Sequence, residues 1–235
     1  MKRKILLLSD DLRMNSGIAT MSRTFVLGTL KHFDWVQIGG AIKHPEAGKV
    51  VDMSESCSKD FGIPDASLKI YPTDGYGNQE MLRQIISMEK PDAILHYTDP
   101  RFWQWLYQME HEIRMEMPIF YYNIWDDLPY PMWNEPFYES CDLIMNISKQ
   151  TVNIVNNVCQ NKPRTKTDNT YLPHGITEKN FYPISELDVK KWGDLLQFKR
   201  ILTEGKEYDF IVFWNNRNIR RKLPGDVIMA YKTFC

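Results

Sequence analysis

Apolar residues along this chain come in short continuous blocks, and between most of them lies a stretch whose apolar positions recur with a helical period. The first block, Ile5 to Leu8, is apolar at every position, which predicts a strand covered on both faces rather than one with a wet side. It leads into NSGIATMSRTFVLGTLK, where Ile18, Met21, Phe25 and Val26 share a helical face and Asn15 or Ser16 is placed to cap the first turn. A strand is expected around Trp35 to Ile42, then an irregular Gly-, Pro- and Ser-rich stretch, a short strand near SLKIYP, and a helix carrying Met81, Leu82, Ile85 and Ile86. KPDAILHYTDP predicts a strand ending at His96, and PIFYYNIWDDLPYP one ending at Trp125. CDLIMNIS turns directly into the helix KQTVNIVNNV, and NTYLPHG closes the series as a short strand. Strands alternating with helices predict a parallel sheet with helices on both faces, an α/β, Rossmann-like, doubly wound fold.

After Phe181-Tyr182-Pro183 the pattern restarts: a helix around Leu187 to Leu202, a strand YDFIVFW, and a helix from Pro224 with Val227, Ile228 and Tyr231 on one side. The expected division is a first domain over 1–183 and a second over 184–235 that holds a linker helix and a single βα unit. An apolar strand without neighbours would offer a self-association edge.

Composition narrows the class. The chain of 235 residues is 43% hydrophobic and 25% charged, which is ordinary for a globular protein. A formal net charge of -1 argues against a general nucleic-acid or anionic-lipid binder. Cys57, Cys141, Cys159 and Cys235 show no CxxC spacing, so neither a zinc site nor a disulfide framework is expected, and reduced thiols point to the cytoplasm. The basic start MKRK precedes only a short apolar run that ends in acids, unlike a signal peptide. No apolar run approaches the roughly 18 residues of a membrane span.

Ligands of open parallel sheets bind outside the carboxyl ends of the strands. The polar residues of this chain collect there: Ser9 to Gly17, His96 to Asp99, Trp125 to Asp127, Ser148, His174-Gly175 and Asn215 to Lys222. His96 also reads as a structural histidine, Asp126 and Asp127 as an Asx-turn before Leu-Pro, and Trp103, Trp105 and Trp133 as core or interface rather than a stacking platform. The segment RNIRRKLPGD is basic from Arg217 to Lys222 and runs into a helix that starts at Pro224, where free N–H groups favour a phosphate or diphosphate.

With NSGIATMSR, PDAILHYTDP, CDLIMNISKQT, YLPHGITEKNFYP and the later Arg217 and Lys222 in hand, the chain resembles the N-terminal part of a retaining glycosyltransferase of the GT-B fold, family 4. The resemblance runs over nearly the whole length, with Pro173, His174, Gly175, Phe181 and Pro183 matching the family's interdomain connection. It implies transfer of a sugar from a nucleotide-sugar donor to an acceptor hydroxyl, with retention and with no cofactor or metal required. Arg217 and Lys222 would hold the donor diphosphate, Gly17 would let the backbone approach that diphosphate from the opposite domain, His174 would also contact the donor, and His96, Asp126 and Asp127 would serve the chemistry. The acceptor stays open among lipid, polysaccharide, protein and modified nucleic acid. Where the family often carries a histidine near the sugar, this chain has Trp125-Asp126-Asp127, so a carboxylate is expected to orient the acceptor. The family also continues into a base pocket and a glutamate pair, so the chain reads as a fragment with a truncated second domain and doubtful activity of its own.

Two other classes compete. KILLLSDD resembles the first strand of a receiver-like regulatory domain, which would need an acceptor such as Asp52 at the end of the third strand. A non-catalytic Rossmann-like binding module is the other. A nicotinamide-dependent oxidoreductase is disfavoured because the first loop lacks GxGxxG.

Overall fold

The computed structural model describes residues 2–41, 45–159, 168–178, 181–216 and 218–235. Its contacts divide the chain into two units, Met1–Gly175 and Ile176–Cys235, so the boundary lies ahead of Pro183.

In the first unit, strand β1 (Arg3–Asp10) leads through a polar loop into helix α1 (Gly17–Thr29), then strand β2 (Phe33–Gly40). Ser16 caps α1 by accepting a hydrogen bond from the Ala19 N–H. Strand β3 (Val51–Asp52), helix α2 (Ser54–Phe61), strand β4 (Leu68–Pro72) and helix α3 (Gln79–Glu89) follow. Strand β5 (Ala93–Tyr97), helices α4 (Gln104–Gln108) and α5 (Glu110–Arg114), strand β6 (Ile119–Asn123), helix α6 (Glu135–Glu139), strand β7 (Leu143–Asn146), helix α7 (Lys149–Val158) and strand β8 (Asp168–Tyr171) complete it.

The sheet has the order β3-β4-β2-β1-β5-β6-β7-β8. Every neighbouring pair is parallel except β3 with β4. Because alternate residues of a strand face opposite sides, β1 feeds two cores. Leu6 and Leu8 pack with Leu82 and Ile85 of α3 and Ile154 and Val155 of α7, while Ile5 and Leu7 pack with Val26 of α1, Leu30 and Cys57 of α2. A doubly covered parallel sheet is the fold that the unbroken apolar blocks call for.

Strand starts are tied by two equivalent aspartates. The carboxylate of Asp92, just before β5, accepts from the Lys4 backbone N–H at 2.8 Å, and that of Asp142, just before β7, accepts from the Ile119 N–H at 2.8 Å. Each locks the register of its strand against the neighbour laid down earlier in the chain.

The stretch expected to be irregular holds β3 and α2. Its pattern is hard to read because the helix SESCSKDF buries only Cys57, and the strand is two residues long. Strand β6 ends at Asn123, ahead of Trp125, because an asparagine seam crosses the strand ends: Asn123 Nδ2 donates to Asn146 Oδ1 at 3.1 Å, and Asn146 Nδ2 donates to the Thr170 carbonyl at 3.0 Å.

The second unit holds helix α8 (Val189–Leu202), capped by Asp188, and helix α9 (Pro224–Phe234), preceded by a 3-10 turn over Arg220–Lys222. Neither helix buries a residue. The strand expected at YDFIVFW is absent: residues 208–214 carry no ladder among the described residues, and Phe210, Val212 and Phe213 are exposed. Strand propensity yields a strand only where another backbone supplies hydrogen bonds.

Candidate functional site

The chain builds outward from β1 through β2 to β4, then returns to lay β5 on the other side of β1. The reversal puts a topological switch point between β1 and β5, where two loops diverge and leave a crevice. Asp10 to Gly17 forms one wall and Thr98 to Arg101 the other.

On the first wall, Asp10 is buried and accepts a 2.7 Å hydrogen bond from the Ser16 hydroxyl. Burial raises its pKa and the Ser16 bond opposes that rise. Gly17 opens α1, and a Cβ built there would meet nothing within 4 Å, so the backbone of the first turn faces open space. Neighbouring Asp11 is engaged by Arg13, which also reaches Glu46 at 2.6 Å.

On the second wall, Asp99 takes both Nε and Nη2 of Arg101. Burial would raise the Asp99 pKa, but the hydrogen bonds from Arg101 outweigh it and lower it. Tyr97, at the end of β5, is buried; burial, Tyr122 and Asp10 all push its phenol upward. Its hydroxyl lies 3.3 Å from His174 Nε2, and the His174 ring stands edge-on to Tyr122 at 5.4 Å. His174 thus joins the rim through aromatic neighbours, and partial burial lowers its pKa.

The loop after β4 adds a third wall. Gly40 faces the Gly75 carbonyl so closely that a Cβ would sit 2.7 Å from it, which lets the chain bring Tyr76 over the crevice. Tyr76 stacks on Phe102 at 4.8 Å and 4°. Burial, Asp10 and Asp99 raise its pKa.

Beyond β6, Trp125 lies under the Arg101 guanidinium at 5.3 Å and meets Trp133 edge-on at 6.1 Å. Asp127 is tied into the turn, its carboxylate accepting from the Leu128 N–H at 2.9 Å and its carbonyl from Trp125 Nε1 at 3.2 Å. The Asp126 carboxylate is exposed and makes no hydrogen bond or ion pair among the described residues; its carbonyl accepts from Gln150. The pair is therefore chemically unequal.

The remaining sequence candidates fall elsewhere. His96 does not reach the rim: it is fully buried, stacked on Tyr121 at 5.1 Å, with Nδ1 2.6 Å from the Tyr107 hydroxyl and Nε2 without a hydrogen-bond partner among the described residues. Burial lowers its pKa to about 3, which keeps the imidazole neutral. A strand-end histidine points to whichever face its register dictates, and here that face is the core. Arg217 lies outside the described residues. Lys222 ends the 3-10 turn of the second unit. The three tryptophans read as one group separate: Trp103 is core, whereas Trp133 is 57% exposed. Asp52, the acceptor a receiver-like domain would need, sits on the antiparallel edge strand with its carboxylate accepting from the Ser54 N–H.

Tyr76, Phe102 and Arg101 were not singled out by the sequence. Their signal was local, a Gly-Tyr-Gly turn and an Asp-x-Arg cap, but only the sheet order reveals that these loops adjoin. A cavity of about 580 Å³ lies away from the rim between α3 and α5, lined by Arg83, Lys90, Glu112 and Met117 among others. It gathers around a bidentate Arg83–Glu112 pair and is lined by Pro91 and Met117, just before the amino ends of β5 and β6, opposite the carboxyl ends that form the rim. Among the described residues no cluster of three His, Cys, Asp or Glu is placed to hold a metal ion, and no helix is long and apolar enough to cross a membrane.

No protein-family model matches the chain, and no curated protein matches it in sequence. Among solved structures, the apo structure of OtsA is similar, with a TM-score of 0.50 at 11% identity over 76% of this chain and 51% of that one. At such identity the likeness is one of fold, and OtsA is a GT-B protein. The chain spans about half of the OtsA structure.

Proposed function

We propose that this chain supplies the acceptor-side domain, and the beginning of the donor-side domain, of a retaining glycosyltransferase that moves a sugar from a nucleotide-sugar donor to an acceptor hydroxyl. The observation that carries the reading is the open switch-point crevice on a sheet of the GT-B kind, with the uncovered first turn of α1 on one wall. Free N–H groups at a helix start favour an anion, and a residue without a side chain lets a diphosphate approach the backbone. Arg217 and Lys222 supply the charge that stabilises the departing diphosphate, an electrostatic role that is usually the largest catalytic contribution. His174 borders the donor. Asp126 orients the acceptor hydroxyl; in front-face transfer the leaving phosphate takes the acceptor proton, so no strong side-chain base is needed.

Titration of the protein with UDP-, GDP- and ADP-sugars, followed by assay of nucleoside diphosphate release, tests this. Lys222→Ala or Arg217→Ala should weaken donor binding by roughly 1.5–3 kcal/mol, the scale of a charge-assisted hydrogen bond. Gly17→Ala has room in the fold, so it should keep the melting temperature while lowering donor affinity. Failure to bind any nucleotide sugar, or donor affinity untouched in all three variants, overturns the reading.

A further inference from the structure

The acceptor can be narrowed from the rim itself, taking the proposed transfer as its basis. Planar groups line up along the ends of β4, β5 and β6: Tyr76 stacked on Phe102, Arg101 beside it over Trp125, and Trp125 against Trp133. Trp133 and Phe102 are 57% and 53% exposed, and the Trp125 and Trp133 rings meet at 76°, which forms a corner with one ring as floor and the other as side. Clustered exposed apolar groups rimmed by polar residues are the kind of surface that marks a binding site.

The charge around them selects among possible occupants. Arg101 is already held by Asp99, and Asp126 and Asp127 border the corner directly. Lys149, at the start of α7, makes no ion pair among the described residues, and Asp10 adds a further acid at the crevice. Carboxylates thus outnumber available cations along the described rim. A polyphosphate such as a nucleic acid, or an anionic lipid surface, needs the opposite balance. A neutral polyhydroxylated ring fits both features: its C–H face packs on an indole and its hydroxyls donate to a free carboxylate.

We infer that the acceptor is a neutral glycan, seated with a sugar ring on the Trp125–Trp133 corner and a hydroxyl donated to Asp126. No phosphate-bearing chain is expected to occupy this corner.

The test is titration of the protein, followed by indole fluorescence and by NMR of the tryptophan Nε1–H signals, with maltohexaose, cellohexaose, mannohexaose and xylohexaose. A single-stranded oligonucleotide and vesicles of anionic phospholipid form the comparison arms. Binding of at least one hexasaccharide is expected, insensitive to salt, weakened about tenfold or more by Trp133→Ala and largely restored in Trp133→Phe. Trp133 is exposed, so its loss should leave the melting temperature unchanged. Absence of binding by all four glycans, binding unaffected by Trp133→Ala, or salt-sensitive binding of the oligonucleotide or vesicles in their place would overturn the inference. The nucleotide-sugar titration is a separate readout. Donor binding without glycan binding removes only this inference, and glycan binding without donor binding removes only the transferase reading.

Discussion

Replacing Glu89 by Gln should destabilise the first unit measurably without touching the rim. Glu89 ends α3 and is buried, yet it gathers three donors: Tyr71 hydroxyl at 2.7 Å and Lys69 Nζ at 3.0 Å on Oε1, and Lys4 Nζ at 3.1 Å on Oε2. Burial alone would raise its pKa, but the hydrogen bonds from Tyr71, Lys69 and Lys4 outweigh that and lower it to about 2 from an ordinary 4.5. The difference between those values corresponds to roughly 3 kcal/mol favouring the folded, charged form. Lys4 and Lys69 remain 29% and 36% exposed, so solvent screening reduces the expectation to about 2 kcal/mol. Because the folded pKa is depressed, this stability is complete above pH 4.5 and disappears as pH falls towards 2. Urea unfolding of the wild type and Glu89→Gln at neutral pH should differ by about 2 kcal/mol, or roughly 4–8 °C in melting temperature. The gap should close on acidification through that window. Equal midpoints at neutral pH, or a gap that persists at the acid end, would refute the reasoning, since the network would then contribute no charge-dependent stability.

Other outcomes follow from the same geometry. His96 is held neutral in the fold but protonates when unfolded, so stability should decline as pH falls from 6.5 towards about 3, and His96→Phe should flatten the upper part of that decline in pH-dependent melts. Asp127→Ala should cost about 1 kcal/mol of stability by releasing the Leu128 N–H, read by thermal unfolding, with little effect on rate. Asp126→Asn should keep the melting temperature and lower turnover in a transferase assay by about 10²-fold or more, the scale of a positioned polar group, leaving donor affinity nearly intact. If the two aspartates exchange these phenotypes, their roles are reversed.

The sequence alone determined the alternation of strands and helices, because burial on both faces forces unbroken apolar strands and a 3.6-residue stripe on each covering helix. It also placed Ser16 as a cap, since capping depends on neighbours within one turn. It also placed polar segments after β1, β5, β6, β7 and β8, as polarity concentrates where strands end, whereas Asn215 to Lys222 follows no strand among the described residues. Short α2 and two-residue β3 escaped it because each buries too little to leave a period. YDFIVFW has the composition of a strand but no ladder, since a strand is a property of two backbones and its own residues specify only one. Only the tertiary structure decided that His96 turns into the core, and that Asp127 is committed to its turn while Asp126 is not. It alone brought Tyr76, Arg101 and Trp125, from three separate loops, to one crevice. The physical reason is common to all of these: strand order and register decide which face and which neighbours a side chain meets, and they are set by pairings between segments far apart in the chain, which no local pattern of residues encodes.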